Sequence, residues 1–119
     1  MALKMARILS DYAKGVEVAF VGHSLGGGLA ALASLGTGRV AVTFNAASVS
    51  DAWVSELKNS ESFYGEGRIW NYVTDGDWLT SFQEKSNASA KGSKILVPNI
   101  KNGEGHSIKN LMLNLKQCE

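Results

Sequence analysis

Apolar positions recur along this chain first at helical spacing and then in short buried-looking runs. Met1, Met5, Ile8, Leu9 and Tyr12 share one face of a helix over residues 1–14, with Lys4, Arg7, Asp11 and Lys14 opposite and Gly15 as a stop. Val16–Gly22 is β-branched and almost wholly apolar, the pattern of a parallel strand covered on both faces. Leu25–Leu35 turns helical and is rich in Gly and Ala, residues that let a helix approach a sheet closely, and Gly36-Thr37-Gly38 ends it. Val40–Phe44 is a second buried strand. Ser48 with Asp51 resembles a capping box opening a helix that runs to about Leu57. Arg68–Thr74 is a third strand. Thr80–Ser93 is polar apart from Phe82 and reads as a loop. Lys94–Val97 is a fourth strand closed by Pro98, and a last helix begins near His106 with Ile108, Leu111, Met112 and Leu115 on one face.

Strands alternating with helices predict an α/β fold with a mainly parallel sheet of about four strands flanked by helices. No shift in composition marks a boundary, so residues 1–119 read as one domain. Apolar residues make up 45% of the 119 and charged residues 19%, which excludes a disordered chain. Twelve Lys and Arg against 11 Asp and Glu leave a net charge of +1. That balance speaks against a nucleic-acid partner, which needs a basic stripe. The single Cys118 excludes an internal disulfide framework and a multi-cysteine metal site. No signal peptide or membrane-spanning run is recognisable, giving an expectation of a cytoplasmic protein or one exported by a signal-independent route.

The 13 glycines against one proline change the picture, because several crowd around one serine. Gly22-His23-Ser24-Leu25-Gly26 satisfies G-x-S-x-G, with an apolar strand before it and an apolar helix after it. Reversing from strand to helix in so few residues strains the serine backbone and lifts its hydroxyl above the sheet rim. Gly22 and Gly26 are expected to remove side chains that would collide there, and the Leu25 N–H is placed to face a developing oxyanion. A phosphate cradle fits less well: no Lys follows the glycines, and G-x-G-x-x-G is not satisfied.

A serine nucleophile needs a base, and the base an orienting acid. Only two histidines exist. His23 adjoins Ser24, where neighbours point apart, so it is a poor base and is expected to pack against or bond to the elbow's surroundings, with substrate contact as a further expectation. His106, in a Gly-rich loop after the fourth strand, can fold back over the rim. Thr74-Asp75-Gly76-Asp77-Trp78 follows the third strand, and either aspartate can serve as the acid. Trp78 and Leu29 are the apolar side chains expected nearest a substrate, although packing explains Leu25 and Leu29 equally well.

Val21–Ala30, Val42–Ala46, Asn71–Asp77 and His106-Ser107-Ile108 together resemble, in order, the class 3 lipases of the α/β-hydrolase superfamily. The resemblance implies a truncated α/β-hydrolase-like fold and metal-free, cofactor-free hydrolysis of carboxylic esters, commonly lipid esters, by Ser24, His106 and Asp77; it selects Asp77 over Asp75. Trp78 stands where the family carries proline. The family has further strands before the elbow, and one of their loops supplies the other oxyanion donor, so the resemblance also fits the C-terminal part of a larger enzyme. A sheet edge left open by their absence would call for a second copy or a partner chain. The competing expectations are a non-catalytic interaction module that keeps the sheet, and an acyltransferase or thioesterase that shares the nucleophile.

Overall fold

The computed structural model of the chain describes residues 2–60, 63–99 and 104–117. The elements run α1 (Ala2–Tyr12), β1 (Ala19–His23), α2 (Leu25–Thr37), β2 (Val40–Phe44), α3 (Asp51–Lys58), β3 (Ile69–Thr74), α4 (Trp78–Lys85), β4 (Ser93–Val97) and α5 (Ile108–Gln117). The four strands form one sheet in the order β1-β2-β3-β4, with every neighbouring pair parallel. The α/β architecture expected from the alternation of strands and helices is therefore the one observed. Because the strands are parallel and in sequence order, all four end at the same rim of the sheet.

The core lies between β1–β3 and helices α2 and α3. Ala30, Ala31, Leu32 and Leu35 of α2 meet Ala41, Ile69, Val54 and Leu57. Alanines and glycines on α2 allow that helix to sit close on β1 and β2. Arg39 ties α1 down by donating to the Ser10 hydroxyl and to the carbonyls of Ser10, Ala13 and Val16 at 2.7–3.2 Å.

Four expectations change. First, the polar stretch after Thr80 begins inside a helix: Asp77 caps α4 by accepting from the Thr80 N–H at 2.9 Å, so a cap rather than an apolar face starts this helix. Second, β1 is not covered on both sides. It is an edge strand among the described residues, and Val21 is 65% exposed. The apolar stripe of α1 faces the same opening, where Met5, Ile8, Leu9 and Tyr12 join Val21 and Leu29 along a groove of about 660 Å³. Met1 and Cys118 lie outside the described residues. Third, the capping box at Ser48 does not form. Ser50 is the N-cap of α3 without a side-chain bond, and the Ser48 N–H instead donates to Gln83 Oε1 at 2.7 Å. Fourth, α5 turns Met112 outward and buries Asn110 and Asn114 beside Leu111. Both amides reach Asn99 Oδ1, which offsets the cost of burying them.

Candidate active site

Ser24 sits in the single-residue gap between β1 and α2. Its φ of 56° and ψ of −121° lie where L-residues rarely go, a cost on the order of 1–3 kcal/mol that the surroundings must outweigh. They hold it by three backbone bonds: Ser24 N–H donates to Phe44 O at 3.0 Å, and Ser24 O accepts from Gly28 at 3.1 Å and Ala47 at 2.8 Å. Gly22 is required, since a Cβ there would lie 2.1 Å from the Gly26 carbonyl oxygen. Gly26 is not required in that way: a Cβ on it would meet nothing within 4 Å among the described residues, because it faces the groove beside β1.

His106 comes back over the rim as the sequence suggested. Its Nε2 lies 2.8 Å from Ser24 Oγ, and its Nδ1 lies 2.6 Å from Asp77 Oδ1. A carboxylate can only accept, so Nδ1 carries the proton and a neutral ring is left with its Nε2 lone pair facing the Ser24 hydroxyl. Asp77 is 1% exposed, so no bulk water competes for its oxygens. Its second oxygen, Oδ2, accepts from both the Thr80 N–H and the Thr80 hydroxyl. Asp75 is solvent-exposed, with its N–H bonded to Val97 O. Of the two aspartates that the residues alone left open, the geometry brings Asp77 to the histidine.

Two rings lean on the His106 imidazole: Trp78 at 4.9 Å and His23 at 5.0 Å between centroids. His23 Nε2 donates to the His106 carbonyl at 2.7 Å, so the ring holds the histidine loop. Leu25 is the first residue of α2, and a first-turn N–H has no partner within its own helix. Its side chain is exposed, as are those of Leu29 and Trp78. No group of three or more His, Cys, Asp or Glu among the described residues is arranged to hold a metal ion. No described helix is long and apolar enough to cross a membrane.

Sequence reasoning gave no role to Asn45, Thr80 and Gln83. Asn45, fully buried at a φ of 45°, bonds through its side chain to Thr74 and to Gly105. Gln83 is buried and joins α4 to the segment after β2 by accepting from Ser48 N–H and donating to Ala46 O. The spacing of Asp77 to Thr80 is itself a capping signal and could have revealed both α4 and the Thr80 contact.

A family model described as a Tle-like phospholipase domain matches residues 1–114. The chain is 44% identical over 95 residues to an extracellular phospholipase A1 of Serratia liquefaciens, an alignment covering 71% of this chain and 28% of that protein. The chain thus matches less than a third of the length of this curated relative.

Proposed function

This chain belongs to the Tle-like phospholipase family, and we propose that it cleaves a carboxylic ester of a phospholipid with Ser24 as nucleophile, His106 as base and Asp77 as the orienting acid. The observation that carries the reading is the unbroken line Ser24 Oγ to His106 Nε2 at 2.8 Å and His106 Nδ1 to Asp77 Oδ1 at 2.6 Å. A serine, an imidazole and a buried carboxylate in that order have the geometry of acyl transfer.

In the first half-reaction the Ser24 oxygen attacks the ester carbonyl carbon while its proton passes to His106 Nε2. Negative charge moves to the carbonyl oxygen, where the Leu25 N–H and the N-terminal end of α2 stabilise it. The tetrahedral intermediate then expels the lyso-phospholipid alkoxide, which takes the proton from Nε2 and leaves an acyl ester on Ser24. Water repeats the sequence: His106 accepts its proton, the acyl group leaves as a fatty acid, and Ser24 regains its hydrogen. Asp77 stays ionised throughout and stabilises the imidazolium of each transition state. Trp78, exposed against the imidazole, and Leu29, exposed along the groove, are apolar surfaces offered to an acyl chain.

The open side of β1 belongs to the same reading. An edge strand flanked by Met5, Ile8, Leu9 and Tyr12 offers an apolar surface that further polypeptide would cover, and the Serratia protein extends beyond its matched 28%.

The test is covalent. A fluorophosphonate probe should label the folded chain, and Ser24→Ala should abolish the label; phosphatidylcholine vesicles should release fatty acid with the same dependence on Ser24. A folded wild-type chain that leaves the probe unbound would instead support an interaction module that keeps the sheet without the chemistry.

A further inference from the structure

The Ser24–His106–Asp77 line depends on a histidine that is not itself part of a helix or strand. His106 lies between β4 and α5, outside both. Among the described residues, two side chains from elsewhere in the fold hold adjacent carbonyls of this segment. The Gly105 carbonyl accepts from Asn45 Nδ2 at 3.1 Å, and the next carbonyl, of His106, accepts from His23 Nε2 at 2.7 Å. Gly105 also packs directly on the Asp77 turn, where a Cβ would stand 2.6 Å from the Gly76 carbonyl oxygen.

Asn45 is the more deeply placed of the two tethers. It follows β2 directly, is fully buried, and has a φ of 45° that asparagine tolerates better than most residues. Its N–H donates to Tyr72 O at 2.8 Å, and its Oδ1 accepts from the Thr74 N–H at 2.8 Å. Its Nδ2 lies 3.4 Å from Thr74 Oγ1 in addition to donating to Gly105. One amide therefore spans the ends of β2 and β3 and the residue before His106. Thr74 in turn opens the turn that ends at Asp77, whose N–H donates to Thr74 O at 3.0 Å. A single buried side chain thus sets the histidine loop and the aspartate turn relative to each other.

We propose that Asn45 is a positioning residue that keeps His106 in register with Asp77 and Ser24. This rests on the triad reading above but is tested by a signal that needs no turnover. Two variants of the full chain separate its bonds. Asn45→Gly keeps the left-handed backbone at no steric cost and deletes the amide. Asn45→Asp is nearly isosteric and keeps an acceptor for Thr74, but it has no donor for the Gly105 carbonyl. Both should fold by circular dichroism. Both should lower the maximal rate of fluorophosphonate labelling about tenfold, the scale of one lost buried hydrogen bond, with little change in the half-saturating probe concentration. In both, the proton NMR resonance of His106 Nδ1–H should lose the downfield position that its bond to Asp77 gives it in the wild type. Wild-type labelling together with an unmoved Nδ1 proton in both variants overturns the proposal. So does loss of fold in both, which would make Asn45 a part of the architecture only. A wild-type chain that shows the Nδ1 signal and its loss in the variants, yet takes no probe, would sink the hydrolase reading while leaving the positioning role intact.

Discussion

Replacing Asp77 by asparagine isolates what the buried carboxylate contributes. The exchange is nearly isosteric, and the Thr80 contacts dictate how the new amide must sit. Thr80 presents two donors, its N–H and its hydroxyl, to the Oδ2 position. Only a carbonyl oxygen satisfies both, so the amide turns its oxygen toward Thr80 and its NH2 toward His106. That NH2 then faces the ring nitrogen that lay 2.6 Å from Oδ1. At 1% exposure no water can relieve two donors facing each other, so the imidazole must move its proton to Nε2. The Nε2–H now points at Ser24 Oγ across 2.8 Å and can no longer accept the hydroxyl proton. The same inversion of tautomer in a serine protease triad costs about four orders of magnitude, roughly 5.4 kcal/mol of transition-state stabilisation. Asp77→Asn should therefore label with fluorophosphonate about 10⁴-fold more slowly than the wild type. Nitrogen NMR should show the Nε2–H form of His106, and the thermal midpoint should fall only modestly because both Thr80 bonds survive. Labelling within about tenfold of the wild type by a folded Asp77→Asn chain would refute the reasoning at its first step, since proton abstraction would then not run through this tautomer.

Other perturbations reach different parts of the molecule. Arg39→Met removes the clamp on the C-terminal end of α1 while keeping an apolar stem, and should cost about 1–2 kcal/mol in urea unfolding. Its effect should be concentrated as faster amide exchange over residues 5–16; uniform exchange would show that α1 does not depend on it. The open edge of β1 should make the chain self-associate with rising concentration in light scattering, and Val21→Lys should suppress this without touching the Ser24 label. A wild-type chain that stays monomeric at high concentration would show that the edge needs no cover.

What was legible in the sequence is what depends on short spacing. The runs at Val40–Phe44 and Arg68–Thr74 and the G-x-S-x-G between an apolar strand and an apolar helix announce themselves within a dozen residues. His106 stood out as the candidate base because only two histidines exist and the other adjoins the serine. What was not legible depends on neighbours distant in sequence. Val21 sits in an apolar run whether or not anything packs over its face, so a covered face and an open one read alike. Residues 78–85 carry Trp78, Leu79 and Phe82 at helical spacing but bury neither Trp78 nor Phe82, and the Asp77 cap marks where the helix starts. Gly26 looks equivalent to Gly22 in the motif, yet one faces open space and the other the backbone of α2. The partners of Asn45 lie 29 and 60 residues away, beyond any local pattern.

The sheet topology explains why these distant residues meet at all. In a sheet whose strands are parallel and in sequence order, every strand delivers the residue that follows it to the same rim. β1 is followed by Ser24, β2 by Asn45, β3 by the turn to Asp77, and β4 by the segment that reaches His106. Two of those deliveries also open a helix. Ser24 lies at the N-terminal end of α2 and Asp77 at that of α4, the ends where a helix favours negative charge. The carboxylate of Asp77 and the oxyanion that would form beside Ser24 are the two negative groups the chemistry requires, and each sits at such an end. Between them lies His106, the group that would become positive in the proposed reaction. The charge pattern that the proposed transition state would carry, negative, positive, negative, therefore matches the way the chain crosses from strand to helix. Substitutions that shift the start of α2 or α4 should slow the reaction even where Ser24, His106 and Asp77 are all retained.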